Sequence, residues 1–176
     1  MAERRESLVD RNLRLRLDLL DSQQFERFFL RFLGSGVSLE VIHHGQAIRR
    51  RIVEVTTYAA GTGRKQRGID LLANTDAGER WVFQCKHVRS WNHSQTVEAI
   101  EDARDFRAHH YFLLVALDVR HEVHDEVEKH GDWTLWNLDT ICDRFRQLVI
   151  PSKQPYCVEF LPQDDLKRFL GLSTAA

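Results

Sequence analysis

Apolar and polar positions first follow a helical period along this chain of 176 residues. Between residues 21 and 36, apolar side chains recur three and four positions apart, which predicts an amphipathic helix. The repeating positions are Phe25, Phe28, Phe29, Phe32 and Leu33. Asp21 or Ser22 can cap this helix, and the Gly34–Gly36 stretch ends it.

A β pattern follows, with one or two strands in residues 37–60 around an arginine run (49–51) that is typical of a solvated turn or edge. A glycine-rich basic loop, 60–68, leads into two short apolar runs, 69–73 and 80–86. The residues between these runs, Thr75-Asp76-Ala77-Gly78, are a strong turn signal, so the pattern predicts a hairpin.

The register of that hairpin can be predicted. If Leu72 pairs with Val82, Asp70 lies opposite Gln84, and the alternation of side chains puts Asp70, Gln84 and Lys86 on one face. The other face, directed into the core, then carries Ile69, Leu71, Phe83 and Cys85. A slip of one residue would scramble both faces.

Downstream, the pattern predicts a helix at 94–106, a buried strand at 111–117, a helix at 119–130, a strand at 133–138 and a helix at 140–148. Residues 164–170 suggest a short terminal helix. This β–α–β order predicts an α/β fold with a mixed sheet flanked by helices. Residues 1–20, with alternating leucines, are ambiguous between strand and helix and are expected to be an arm or an oligomer contact.

Composition narrows the function classes. The chain is 43% hydrophobic and 29% charged, with a net charge of −1, so a nucleic-acid partner must be bound by a local patch. Its 3 cysteines lack CxxC spacing, which fits a reducing cytoplasm. The sequence has no long apolar run, and we expect a cytoplasmic protein with no membrane partner.

The polar face of the hairpin suggests chemistry. Mg²⁺ takes one or two protein carboxylates and leaves other positions to water and phosphate oxygens. The Asp70 carboxylate, the Gln84 amide oxygen and the Cys85 backbone carbonyl would form such an open site, with Lys86 as a transition-state cation or proton acceptor. The alternative is a surface ion pair between Asp70 and Lys86.

Basic side chains near the hairpin are candidates for phosphate contact: Arg64, Lys65 and Arg67 before Asp70, and Arg89 after the second strand. Flexible charged loops without a ligand are also common, so both interpretations stay open. Trp91 could stack on a base or be a tucked-in loop tryptophan.

Two motifs carry a family resemblance: Gly63-Arg64-Lys65-Gln66-x-Gly68-Ile69-Asp70 and Trp81-x-Phe83-Gln84-Cys85-Lys86. Together they resemble the Mrr-like branch of the PD-(D/E)xK restriction-endonuclease superfamily, in its GxD…QxK variant. The resemblance implies a restriction-endonuclease-like fold with a central sheet of four to five strands. It also implies Asp70 and Gln84 as ligands of Mg²⁺ or Mn²⁺, Lys86 as the catalytic lysine, and Glu26 as an assisting acid. From the sequence alone, Glu26 could equally be a solvated carboxylate beside Arg27.

The resemblance further implies a Mg-dependent endodeoxyribonuclease that acts on double-stranded DNA as a homo-oligomer. Such domains often serve as antiviral effectors with a fused or associated STAND-type ATPase and sensor. The expected organisation is an N-terminal arm (1–20), a nuclease domain (21–150) and a C-terminal extension or linker to a further domain (151–176). Gln84, where the fuller pattern has an acid, keeps an alternative open: a catalytically weak module that binds nucleic acid or oligomerises.

Overall fold

The computed structural model describes Val9 and residues 14–58 and 68–148. Six strands and four α-helices follow one another along these residues. In chain order they are α1 (Ser22–Gly34), β1 (Ser38–His43), β2 (Gln46–Thr57), β3 (Leu71–Thr75), β4 (Arg80–Lys86), α2 (His93–Ala103), β5 (His110–Val115), α3 (His121–Glu128), β6 (Trp133–Trp136) and α4 (Leu138–Leu148).

The strands form one mixed sheet in the order β1-β2-β3-β4-β5-β6. Strands β1 to β4 pair antiparallel, and β4, β5 and β6 pair parallel. The predicted α/β fold with a mixed sheet flanked by helices is confirmed, but the sheet has six strands rather than four to five. Residues 37–60 supply two of them, because His44 and Gly45 turn the chain with positive φ angles of 46° and 80°. The arginine run 49–51 lies inside β2 instead of in a turn.

One face of the sheet is covered by α1 and α4. The Asp21 carboxylate accepts from Gln24 N, and the Gln24 side chain accepts from Asp21 N, so both ends of a capping box begin α1. Its phenylalanines are buried, and Phe28 stacks on Phe145 of α4 with ring centroids 5.2 Å apart. This aromatic layer holds α1 against strands β2, β3 and β4.

The opposite face is covered by α2 and α3, where a second cluster of buried residues includes Val82, Ala99, Leu113 and Val127. Strand β5 is buried along its whole length, as the continuous apolar run predicted. Because helices pack on both faces, the polar groups of the hairpin can gather only at an end of the sheet.

The described part of the N-terminal segment belongs to the core. Leu15, Leu17 and Leu20 are buried in the same cluster as α1, and Leu17–Leu19 form a short 3-10 helix. These leucines therefore offer little apolar surface for an oligomer contact. The expected extension at 151–176, with its helix at 164–170, lies outside the described residues. None of the helices in the described ranges is long and apolar enough to cross a membrane.

Candidate active site

The hairpin pairs as the turn chemistry predicted, with Leu72 opposite Val82. The register does not extend to Asp70, because Leu71 already pairs with Phe83 and Asp70 N also donates to Phe83 O at 3.0 Å. Asp70 and Leu71 therefore both lie opposite Phe83, which is a β-bulge, and a bulge changes the direction of a side chain. For this reason Ile69 packs in the cluster beneath α2 and not with Leu71 and Phe83 as expected.

The bulge turns the Asp70 side chain toward β4. Its Oδ2 accepts a hydrogen bond of 2.6 Å from Cys85 N. Burial raises the pKa of Asp70, while this hydrogen bond and the charge of Lys86 act in the opposite direction. The carboxylate is thus desolvated and anchored through one oxygen only, which favours binding of a cation at the other.

Glu26 reaches the same place from α1. Its carboxylate is half-buried, and burial together with the negative charge of Asp70 raises its pKa, whereas Lys86 lowers it. Its neighbour Phe25 is fully buried and lies 5.7 Å from the His87 ring, so the first turn of α1 is fixed against the end of β4. The fold therefore brings Glu26, Asp70 and Lys86 within electrostatic reach of one another.

Gln84 is buried, with 1% of its surface exposed. Its Nε2 donates to the backbone carbonyl of Ala99 in α2 at 3.0 Å, and its Oε1 has no hydrogen-bond partner. Gly68, with a φ of 65°, covers the amide so closely that an added Cβ would lie 3.6 Å from it. An unpartnered buried oxygen is costly, so it is a candidate ligand for a cation.

Lys86 ends β4, and its Nζ lies 5.9 Å from the ring centre of Trp91. The indole is held in turn by a bond of 2.9 Å from its Nε1 to Thr96 Oγ1. Trp91 is half-buried, which fits a tucked-in loop residue whose ring face still lies under the Lys86 ammonium. The neighbouring Cys85 thiol is not a nucleophile, because burial, Asp70 and Glu26 raise its pKa well above the ordinary value.

The donor set fits a hard divalent cation. Across the described residues, no three His, Cys, Asp or Glu side chains lie close enough to hold a metal by themselves. The site instead offers two carboxylates, Asp70 and Glu26, with the neutral Gln84 oxygen. Mg²⁺ accepts one or two carboxylates with other oxygen ligands, whereas Zn²⁺ sites are usually built around histidine or cysteine ligands, which this set lacks.

Cationic side chains border this end of the sheet. Arg89 is exposed and lines a cleft of about 460 Å³ together with Trp91 and Arg120. Asp118 and Glu122 also line this cleft, and Glu122 Oε1 lies 4.0 Å from Arg120 Nη1. Arg120 is not among the residues predicted from the sequence. The signal that could have indicated it is its position after a buried parallel strand, since loops at the carboxyl ends of such strands form ligand sites. Arg64, Lys65 and Arg67 lie outside the described residues.

A comparison with protein families matches residues 17–145 to a family model described as a restriction endonuclease, Mrr_cat. The matched range runs from the 3-10 helix to α4 and includes every candidate metal ligand. Comparisons with curated proteins and with solved structures found no match.

Proposed function

This chain belongs to the restriction endonuclease family, and on that premise we propose that it is a metal-dependent endonuclease that hydrolyses phosphodiester bonds of double-stranded DNA. The observation that carries the proposal is the meeting of Glu26, Asp70 and Lys86 at one end of the sheet. A surface ion pair would need no half-buried carboxylates with raised pKa values, whereas such carboxylates cluster at functional sites.

Four oxygen donors would hold the metal in this proposal: the carboxylates of Asp70 and Glu26, the Gln84 amide oxygen and the Cys85 backbone carbonyl. When bound, Mg²⁺ or Mn²⁺ supplies the positive charge that polarises the scissile phosphate and acidifies the attacking water. Asp70 suits this role because Cys85 N fixes one of its oxygens and leaves the other for the cation.

Lys86 would act on the phosphate. Its ammonium offsets the negative charge that develops in the transition state, or its amine takes a proton from the attacking water. The ring face of Trp91 and the nearby carboxylates limit where the ammonium can lie.

The biological setting follows from the family resemblance and is part of the proposal. We place this domain in antiviral defence, as the effector of a STAND-type ATPase and sensor. A double-strand cut needs two active sites, so cleavage would require at least a homodimer and would rise steeply with protein concentration.

A second candidate, a nuclease-derived module that binds DNA without cutting it, has one observation in its favour. Gln84 stands where a stronger, charged metal ligand would be expected, in a chain whose net charge is −1. The intact trio of Glu26, Asp70 and Lys86 speaks against it, because binding alone does not require desolvated carboxylates.

The test compares linear duplex DNA, single-stranded DNA and RNA of the same sequence, each incubated with Mg²⁺, with Mn²⁺ and with a chelator. The proposal expects duplex cleavage with either metal and none with the chelator. Duplex binding without cleavage at every metal and protein concentration would favour the binding module instead. Cleavage that persists in the chelator would contradict the metal-dependent mechanism.

A further inference from the structure

The nitrogen and the oxygen of the Gln84 amide differ in their hydrogen bonding. The atom that lies 3.0 Å from Ala99 O must be the nitrogen, because a backbone carbonyl only accepts hydrogen bonds. That contact fixes the orientation of the amide, so the unpartnered Oε1 is the end directed away from α2. The helix thus determines which atom of Gln84 is free.

We infer that this site is built for glutamine and that a glutamate at position 84 would not serve as a better ligand. The inference rests on the proposed metal site and concerns how α2 positions its neutral ligand. Ala99 O acts as a positioning group, and Gln84 is therefore a specific part of the site rather than a weakened form of an acidic one.

Charge and shape at this position support the inference. A glutamate carboxylate would place an oxygen without hydrogen against Ala99 O, in a side chain that is only 1% exposed. Two facing acceptors that water cannot reach repel each other, and each loses its hydrogen bond. A glutamate can restore the contact only by taking up a proton, and it then lacks the negative charge that makes glutamate the stronger ligand.

Packing restricts the other orientations of the group. Val82, on the same face of β4, is fully buried, and Ala99 is only 5% exposed, so α2 lies directly over this part of the strand. Gly68 covers the amide within van der Waals distance. A carboxylate could move away from Ala99 O only by displacing one of these neighbours.

The test uses Gln84→Glu and Gln84→Met, with Gln24→Glu as the matched control. Gln24 is an exposed member of the α1 capping box, where glutamate serves equally well, so the control makes the same chemical change without the buried carbonyl. Thermal unfolding is measured in chelator, and Mn²⁺ binding is measured by calorimetry.

We expect Gln84→Glu to lower the unfolding midpoint of the metal-free protein while Gln24→Glu leaves it unchanged. We also expect Gln84→Glu to bind Mn²⁺ no more tightly than the parent chain, and Gln84→Met to bind it about tenfold or more weakly. Tighter Mn²⁺ binding by Gln84→Glu, or a midpoint equal to that of the parent chain, would overturn the inference.

A failure of the proposed function can be distinguished from a failure of this inference. If the parent chain neither binds Mn²⁺ nor cleaves DNA, the metal site is wrong, and the comparison of midpoints in chelator still decides whether α2 requires an amide. A Gln84→Glu midpoint below that of the control supports that requirement, and equal midpoints refute it.

Discussion

The Asp70 carboxylate and the Cys85 backbone amide are joined by a hydrogen bond of 2.6 Å across the bulge that begins β3. This bond connects a residue before β3 to the middle of the QxK motif on β4. It keeps the carboxylate at the end of the sheet although burial raises its pKa. The site therefore holds a charge at some cost to the stability of the metal-free fold.

That cost predicts the behaviour of Asp70→Asn. A pKa raised above the unfolded value means that Asp70 favours folding while protonated, and that this contribution is lost as the pH rises through the folded pKa. Asparagine keeps an oxygen for Cys85 N and carries no charge. We expect the metal-free variant to unfold at a higher temperature than the parent chain at neutral pH, and the difference to shrink toward about pH 4.

The control is Asp76→Asn, at an exposed turn where the carboxylate accepts from Arg51 N at 3.1 Å. It should show no such gain at neutral pH. Equal midpoints for Asp70→Asn and the parent chain would mean that Asp70 is not desolvated.

Cleavage should be lost on acidification at a higher pH than ordinary carboxylates would give. The pKa values of Asp70 and Glu26 are both raised, mainly by burial, and a ligand must be deprotonated to bind metal. Because metal and protons compete, more Mg²⁺ should move the acid limb of the rate profile to lower pH. The check is the initial cleavage rate against pH at two Mg²⁺ concentrations. In Glu26→Gln one of the two titrating carboxylates is removed, so the acid limb of its rate profile should be less steep. An acid limb that does not respond to Mg²⁺ would contradict the assignment of these carboxylates.

Removal of the lysine ammonium should affect turnover more than metal binding. We expect Lys86→Met to lower the cleavage rate about 10²–10⁴-fold, the usual contribution of a positioned proton-transfer group, with little change in Mn²⁺ affinity. Lys129→Met is the matched control, since Lys129 is an exposed lysine just after α3 that also pairs with a glutamate, Glu126. A Lys86→Met protein as active as this control would remove Lys86 from the mechanism.

Arg89 and Arg120 should contact DNA phosphates along the cleft beside Trp91. Each phosphate contact releases bound counterions, so we expect Arg89→Ala and Arg120→Ala each to weaken duplex binding and to reduce the slope of affinity against salt by about 1. Arg104→Ala is the control, because Arg104, like Arg120, pairs with a glutamate but lies at the far end of α2, away from this cleft. Titrations at several salt concentrations measure the slopes. Slopes unchanged in both variants would place the DNA elsewhere.

Local sequence signals predicted much of the hairpin. The turn after Thr75 and the alternation of apolar residues gave the pairing of Leu72 with Val82, because both depend on neighbours in the chain. The bulge at Asp70 was missed, since it depends on how β3 meets Phe83. Electrostatic contact between Glu26 and Asp70 is likewise a tertiary effect, and only the resemblance suggested it.

The hydrogen bond from the Gln84 amide to Ala99 O could not be predicted from the sequence either. It depends on α2 packing over β4, a contact between residues 15 positions apart. The sequence pattern and the resemblance thus named the candidate residues, whereas their individual environments depend on the packing of helices on both faces of the sheet.

The most direct test of the central claim is cleavage of a supercoiled plasmid with Mg²⁺ by the parent chain, Asp70→Asn and Asp76→Asn, at several protein concentrations. Loss of several kcal/mol of charge stabilisation corresponds to a rate reduced about 1000-fold. We predict linear product from the parent chain and from Asp76→Asn, and a reduction of about this size for Asp70→Asn, whose fold stays intact. Cleavage by Asp70→Asn at the parental rate would contradict the assignment of Asp70 and, with it, the proposed metal site.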